Sequence, residues 1–366
     1  MEIKIKLCII AGADSIHSYK WIKYFAEAGY KITWISLTPT TFDPIPGVSF
    51  FHIDGGAGIW GMLKAVLQTR RIVANSQPDL VHVHYVGANA ILGLYSGVKT
   101  IVATPWGSDV ILNKHVFFKR FFAARILRRA DLISCDAWHM RNEVMQFGVS
   151  AERINIINFG IDSQRFSPRM ASSEIRKQYD LGAAPAVISL RNFEPVYDIP
   201  TLLHAVPLVL KKHPLTRFML VGRGSLDAEL KALAQSLGIA DAVRFVGFVP
   251  NVQLPDTLCS LDVYVSSSLS DAGIAASTAE AMACELPVVV TDSGENNRWI
   301  EDGKNGYLVP VKQPEAMAEK ICLLLSNSAL RSQLGAAGRH TIQERNDFNA
   351  EMAKMDLLYQ GVVGKP

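Results

Sequence analysis

The chain has 366 residues, of which 49% are hydrophobic and 19% charged, and its formal net charge is +3. That length suits two domains of roughly 150–200 residues, and the composition excludes a disordered, collagen-like or disulfide-scaffold chain. No apolar run approaches the ~20 residues of a membrane-spanning helix, and the opening MEIKIKLCIIAG is too short in its apolar part for a signal peptide.

The pattern alternates strand and helix. Predicted strands fall at 4–10, 32–37, 48–52, 80–84 and 100–104, with amphipathic helical stretches at 18–28 and 59–75 among them. The polar stretch NFGIDSQRFSPRMASSEIRKQYDLGAAPA interrupts the alternation, which restarts with strands at 187–190, 218–221, 243–245, 263–266 and 288–290. Residues 346–362 are helical by period. Near-continuous apolar strands of this kind belong to parallel sheets covered on both faces. The expected fold is α/β: two doubly wound Rossmann-like domains facing across a cleft, with the C-terminal helix packing back on the first. The domains are read as 1–165 plus 346–366, and 166–345.

Charge and cysteine usage add direction. Residues 1–170 carry 19 Lys/Arg against 12 Asp/Glu, and residues 171–366 carry 18 against 22. The first half is therefore the one suited to an anionic partner. Cys8, Cys135, Cys259, Cys284 and Cys322 are scattered with no C-x-x-C spacing. They read as reduced packing residues of a cytoplasmic protein, with no zinc cluster.

Ligands of doubly wound sheets sit beyond the carboxyl ends of strands, so the residues just after each strand carry the functional reading. AGADSIHSY places Gly12 and His17 after the first strand, the histidine serving equally well as a packing residue. TPWGSDV places Trp106 and Asp109 after the fifth, where an indole beside a glycine suits a platform for a sugar ring. VISLRNFEP sets Arg191 behind a buried strand, where a guanidinium could pair with a diphosphate or stand solvated in a loop. In FMLVGRGSLDAELKAL, Gly222 and Gly224 at a strand-to-helix bend let backbone N–H groups approach a phosphate, unless the bend is a plain tight turn. The dinucleotide fingerprint fails there, because its third glycine position is Asp227; hydride transfer on a nicotinamide cofactor gains little support. VRFVGFVP offers backbone groups around Gly247 to a nucleobase edge, with a β-bulge as the plainer explanation.

SDAGIAASTAEAMACELPVVVTD places two acids around very small residues. A helix starting near Ile274 would leave first-turn N–H groups open beside Ala275, Ala276 and Ser277, ready for an anion. Glu280, one turn further in, is placed to accept two hydrogen bonds from a ribose diol. Asp271, just before the helix, could take sugar hydroxyls. The plainer reading makes both acids surface residues, and it weakens because the helix feeds an almost wholly apolar strand.

KHVFFKRFFAARILRRAD, from Lys114 to Asp131, packs Lys114, Lys119, Arg120, Arg125, Arg128 and Arg129 among Phe117, Phe118, Phe121 and Phe122. A basic amphipathic helix with bulky aromatics suits an anionic membrane surface, so Lys114–Arg129 is the expected peripheral contact with the inner face of the cytoplasmic membrane. Packing of those phenylalanines on the sheet competes with that reading. Nucleic-acid binding is disfavoured, because no recognised module accompanies the charge.

STAEAMACELPVVVTDSGENNRWIEDGKNGYLVP resembles the Glu-Ala-Met-Ala, Gly-x-Pro-Val-Val and Asn-Gly-Tyr-Leu-Val-Pro run of the retaining nucleotide-sugar glycosyltransferases of family 4, which have the GT-B fold. INIINFGIDSQRFSP is similar to the family's interdomain signature, with Asn158, Gly160, Asp162 and Phe166 in place. LVGRGS and VRFVGFVP, the latter with Gly247 and Phe248, fit its phosphate-loop and base-binding segments in order. The resemblance spans nearly the whole chain and is densest in the second half.

What the resemblance implies is a hexosyltransferase that needs no cofactor and no metal. Its donor is a nucleotide diphosphate sugar held by the second domain, and its acceptor a glycan or lipid-linked glycan in cell-envelope polysaccharide or glycoconjugate synthesis. Glu280 would bind the ribose, Arg191 the diphosphate, and Gly12 would lie close to the phosphates when the cleft closes. Arg191, Asp271 and Glu280 are the implied catalytic set; His17, Trp106, Asp109 and Asp271 the implied sugar or acceptor pocket. Retention in the family is commonly explained by front-face attack, with the leaving diphosphate taking the acceptor's proton. No D-x-D spacing occurs, so a metal clamp is not indicated. Departures cluster at the pocket: the family's first acid would fall at Ala272, where the nearest here is Asp271. Glu285 stands for a glycine, Tyr197 for a lysine and Trp106 for a histidine. A nucleotide-sugar binding protein that has lost transfer, and more distantly a sugar-nucleotide epimerase, remain as alternatives.

Overall fold

A computed structural model of the chain describes residues 5–56, 58–111, 117–271 and 273–364. The chain forms two compact units, Met1–Phe159 with Asn349–Pro366, and Gly160–Phe348. The changeovers thus fall at Phe159/Gly160 and Phe348/Asn349, against 165/166 and 345/346 in the pattern reading.

The first unit holds seven strands: β1 (Lys6–Ile10), β2 (Lys31–Ser36), β3 (Val48–His52), β4 (Leu80–His84), β5 (Ile101–Thr104), β6 (Leu132–Cys135) and β7 (Ile154–Ile156). They pair in parallel in the order β3-β2-β1-β4-β5-β6-β7. β4, β5 and β6 are buried at every residue, so both sheet faces are covered and the strands read as apolar runs. β6 and β7, of four and three residues, are not among the predicted strands.

Ser15 opens the Ile16–Glu27 helix by accepting from the Ser18 N–H, and the helix buries Trp21, Ile22 and Phe25. The last helix, Phe348–Val363, buries Met352, Met355 and Tyr359. Its Tyr359 hydroxyl receives the Trp21 indole N–H at 3.1 Å and lies 2.5 Å from His82 Nδ1. Residues 338 positions apart are joined there, which seats the C-terminal helix on the first sheet as its sequence suggests.

The second unit holds β8 (Ala186–Ser189), β9 (Arg217–Val221), β10 (Val243–Gly247), β11 (Val263–Ser266), β12 (Val288–Thr291) and β13 (Tyr307–Val309). The order is β10-β9-β8-β11-β12-β13, again all parallel. Alternate residues supply its two cores. Val187, Val263, Val265 and Val289 enter one, and Ile188, Tyr264, Val288 and Val290 the other. Each such aliphatic side chain contributes about 1.5–3 kcal/mol of burial. Sheet growth reverses at β1/β4 and at β8/β11, and the loops following those strands are where an α/β sheet opens to a ligand.

His82 and His84 of β4 are wholly buried in a polar chain. His82 Nε2 lies 2.6 Å from Thr104 Oγ1, which lies 2.5 Å from Ser134 Oγ, and His84 Nε2 lies 3.2 Å from His82 Nδ1. Burial pushes the His84 imidazole down to about 3, and burial with the nearby His84 pushes His82 well below its ordinary value. Both are neutral when folded, and both take a proton near pH ~6.5 once unfolded. The unfolded chain therefore binds more protons below that pH, and this stability is lost as pH falls from ~6.5 toward the folded value. In His84→Gln, the urea-unfolding gap to wild type should narrow by about 2 kcal/mol between pH ~7 and ~5. A gap independent of pH would show that His84 is not held neutral.

Candidate functional site

Arg191 follows β8 and Asp271 follows β11, so the two flank the switch point of the second sheet. They form an ion pair in which both side chains are nearly out of water, at 9% and 5% exposure. Arg191 Nη2 donates to Asp271 Oδ1, and the amide of Asn296 donates to Asp271 Oδ2 at 3.3 Å. The ring of Tyr197 covers the guanidinium at 4.3 Å, the residue standing where the resemblance leads one to expect a lysine. Arg191 Nε is buried without a hydrogen-bond partner. A buried charge of this sort costs about 3–5 kcal/mol when its partner is removed. Asp271 thus contacts both Arg191 and Asn296. Gly294 at φ +58 lies so close to the Asp271 backbone that no side chain fits. The signal missed in sequence was the SGENN run after β12, which supplies both Gly294 and Asn296.

Downstream, the helix runs from Ala276 to Ala283, two residues later than expected. Ile274 stays outside it and packs against the core of one sheet face, and Ala275 before the helix is extended. Ala275 makes no side-chain cap and the first turn has no acid, so this N-terminus favours an anion. Ser277 bonds the Tyr264 hydroxyl at 2.8 Å, and Glu280 is half-buried one turn in. Burial raises the Tyr264 phenol while the Arg191 charge opposes it.

The helix Asp227–Ser236 behaves oppositely. Its first turn carries Asp227 and Glu229, and the N–H groups of Ser225 and Leu226 are taken by Glu194 Oε1 and the Phe193 carbonyl. Those Ser225 bonds hold the Glu194 carboxyl below its usual value. Gly222 and Gly224 lie against the Arg191 and Phe193 carbonyls, too close for a Cβ. Their smallness thus serves the crossing of two strand-end loops. Gly247, at φ +76, sits where the β9–β10 register shifts, so the bulge explains it. Phe248 beyond it is 70% exposed, and the Arg223 guanidinium lies beside Gly247.

In the first unit, Gly12 is half-buried after β1. His17 faces Phe159 at 4.6 Å and Trp106 at 5.9 Å between ring centroids. Desolvation and the Lys20 charge lower its pKa. Trp106 is half-buried, with its indole N–H buried and unpartnered. Asp109 turns inward: wholly buried, it accepts from the Val86 and Trp106 N–H groups at 2.6 and 2.9 Å. Burial raises its carboxyl against those donors. Asp109 thereby ties the segments at Val86 and Trp106 together. Among the described residues, no group of three His, Cys, Asp or Glu is placed to hold a metal.

Residues 172–341 match the family described as Glycosyl transferases group 1, and residues 6–137 the one described as Glycosyl transferase 4-like. The chain is 27% identical over 303 residues to the GDP-mannose-dependent alpha-(1-6)-phosphatidylinositol monomannoside mannosyltransferase of Mycolicibacterium smegmatis, covering 80% of this chain and 79% of that one. A glycosyltransferase from Rickettsia africae matches in structure with a TM-score of 0.81 at 15% identity, over 100% of both chains. Alr3699/HepE of Anabaena, solved in complex with UDP, also gives 0.81, at 19% identity over 98% of this chain and 100% of that one.

The Ala276–Ala283 helix ends with the Leu286 N–H on the Ala281 carbonyl and the Glu285 N–H on the Met282 carbonyl. This closure places Glu285 at φ +61, where glycine is strongly favoured. Glu285→Gly should stabilise the protein by about 1 kcal/mol in urea unfolding. A loss of stability would show that the Glu285 side chain compensates its own backbone strain.

Proposed function

Since the chain belongs to the group 1 glycosyltransferases and folds as the two Rossmann-like domains of GT-B, we propose that its reaction is retaining and metal-independent. A hexosyl group passes from a nucleotide diphosphate sugar to a glycan or lipid-linked glycan in cell-envelope polysaccharide or glycoconjugate synthesis. The observation that carries this reading is Arg191: buried at the switch point, with Nε unpartnered, in a unit that also carries the acid-free helix start at Ala276. As the acceptor oxygen bonds to the anomeric carbon, the bond from that carbon to the diphosphate breaks, and the acceptor's proton passes to a diphosphate oxygen. Arg191 and the N–H groups at Ala276–Ser277 meet the charge developing on the leaving group. Glu280 takes the ribose diol, exposed Phe248 stacks on the base, and Asp271 acts through Arg191 by fixing its orientation. A nucleotide-sugar binding protein without transfer is the second reading, favoured by an Asp271 already engaged by Arg191.

Thermal shift against UDP-, GDP-, ADP- and CMP-sugars tests this. One donor should stabilise the wild type, and Arg191→Ala and Glu280→Ala should each weaken it by about 10–100-fold, the loss of a charge-assisted hydrogen bond. Normal binding by both variants would remove the site assignment. Stabilisation without turnover on any acceptor would favour the binding-protein reading.

The relative from M. smegmatis is named for a phosphatidylinositol monomannoside acceptor, which supports a lipid-linked acceptor here. Lys114 lies outside the described residues, as do the side chains of Phe117, Phe118 and Lys119. In the rest of the Phe117–Arg129 helix, Ile126 and Leu127 are buried and Phe121 is the exposed aromatic. Arg128 and Arg129 donate to the Phe147 and Lys99 carbonyls, which ties those two guanidinium groups to the protein. Among the described side chains, the Gly58–Ser76 helix exposes more apolar surface. Trp60 is 80% exposed, Ile59, Leu63 and Leu67 are exposed, exposed Lys64, Arg70 and Arg71 flank them, and the helix contains no acid. We place the contact with an anionic lipid surface there. Among the described residues no helix is long and apolar enough to cross a membrane. Trp60→Glu with Leu63→Glu should abolish co-sedimentation with phosphatidylglycerol vesicles, while Arg120→Glu with Arg125→Glu should leave it. The reverse outcome would return the contact to the Phe117–Arg129 helix.

A further inference from the structure

Cys259 ends the Leu254–Cys259 helix, and Cys284 caps the Ala276–Ala283 helix. The two line one cavity of about 200 Å³, together with Arg169, Glu285, Pro287 and Arg331. Asp262 and Pro287, which also line it, lead into β11 and β12, so the cavity lies at the amino-terminal edge of the second sheet. Arg191 and Asp271 follow strands at the opposite edge. The remaining cysteines are sealed in the cores: Cys8 and Cys135 at 0% exposure, Cys322 at 5%. Cys284 is also 5% exposed, whereas Cys259 is half-buried and opens to the cavity.

We propose that Cys259 and Cys284 form a reversible thiol–disulfide couple, in which Cys259 attacks a low-molecular-weight disulfide and Cys284 resolves the adduct. The Cys259 thiolate attacks one sulfur of the small disulfide, forming a mixed disulfide and releasing one thiolate. Cys284, giving up its proton, then attacks Cys259 Sγ, forming the intrachain disulfide and releasing the second thiolate. The protein loses two electrons and two protons, and the small disulfide becomes two thiols. The local chemistry favours this direction. The neighbouring Cys284 thiol, and after it Arg169, hold the Cys259 thiol below its ordinary value, whereas Cys259 and burial raise Cys284. An accessible thiol of lowered pKa beside a resolving thiol is the arrangement that reacts selectively.

A link to the donor site follows, and it rests on the reading of Glu280 given above. The Cys284 N–H bonds the Glu280 carbonyl at 3.1 Å, so a disulfide at Cys284 fixes the end of the helix that carries the ribose ligand.

The test treats folded protein with oxidised glutathione and reads intact mass and linked peptides. Wild type should lose the mass of two hydrogens and yield a Cys259–Cys284 linked peptide that dithiothreitol reverses. Cys284→Ser should stop at one glutathione adduct on Cys259, and Cys259→Ser should give neither product. Absence of the linked peptide, or an equal adduct in Cys259→Ser, overturns the couple. This readout is covalent and holds whether or not any nucleotide sugar binds. If oxidised and reduced protein bind the stabilising donor several-fold differently, the link to Glu280 stands. Equal affinity overturns that link.

Discussion

A guanidinium almost wholly withdrawn from water dominates the second domain. Arg191 must keep its charge, so its surroundings must supply a counter-charge and a polarisable face. Asp271 supplies the first and Tyr197 the second. These needs reach outward through the fold. Asn296 steadies the carboxylate, Gly294 lets the loop after β12 press on the Asp271 backbone, and Gly222 lets the loop after β9 press on Arg191. Four strand-end loops are thereby fitted to one side chain at the point where the sheet reverses its order. A tyrosine in place of the expected lysine fits this picture, because a second cation beside Arg191 would compete for the single carboxylate.

The two helix starts beside this site divide the work by electrostatics. The Asp227–Ser236 helix neutralises its own positive end with Asp227 and Glu229, and Glu194 closes the approach to it. The Ala276–Ala283 helix does neither, and its end is the one left for an anion. The same short helix has a thiol at its other end, so one element runs from the switch-point edge of the sheet to the cysteine pocket. Its closing residue, Glu285, holds a backbone conformation suited to glycine, which marks that end as locally strained.

The first domain is organised around a different constraint, the burial of polar groups that must find one another. Tyr359 brings the last helix to Trp21 and His82, and Thr104 and Ser134 continue the chain of contacts beneath the sheet. In that same domain the Gly58–Ser76 helix keeps an uncovered apolar stripe with cations beside it.

Much of the architecture was legible because buried parallel strands are nearly uninterrupted apolar runs, and such runs declare themselves locally. The C-terminal helix came from the same local patterns, and so did the reading of Arg191, Glu280 and the strand-end loops as a donor site, sharpened by the resemblance. The strands β6, β7 and β13 did not come through, although β5, β8, β11 and β12, each of four residues, did. Side-chain partnership was settled only in three dimensions. Nothing near Asp271 in the chain foretells that it turns to Arg191, nor that Asp109 faces its own backbone, nor that Cys259 meets Cys284. Periodicity sets which residues can share a face, but which face is covered, and by what, depends on contacts between segments far apart in sequence.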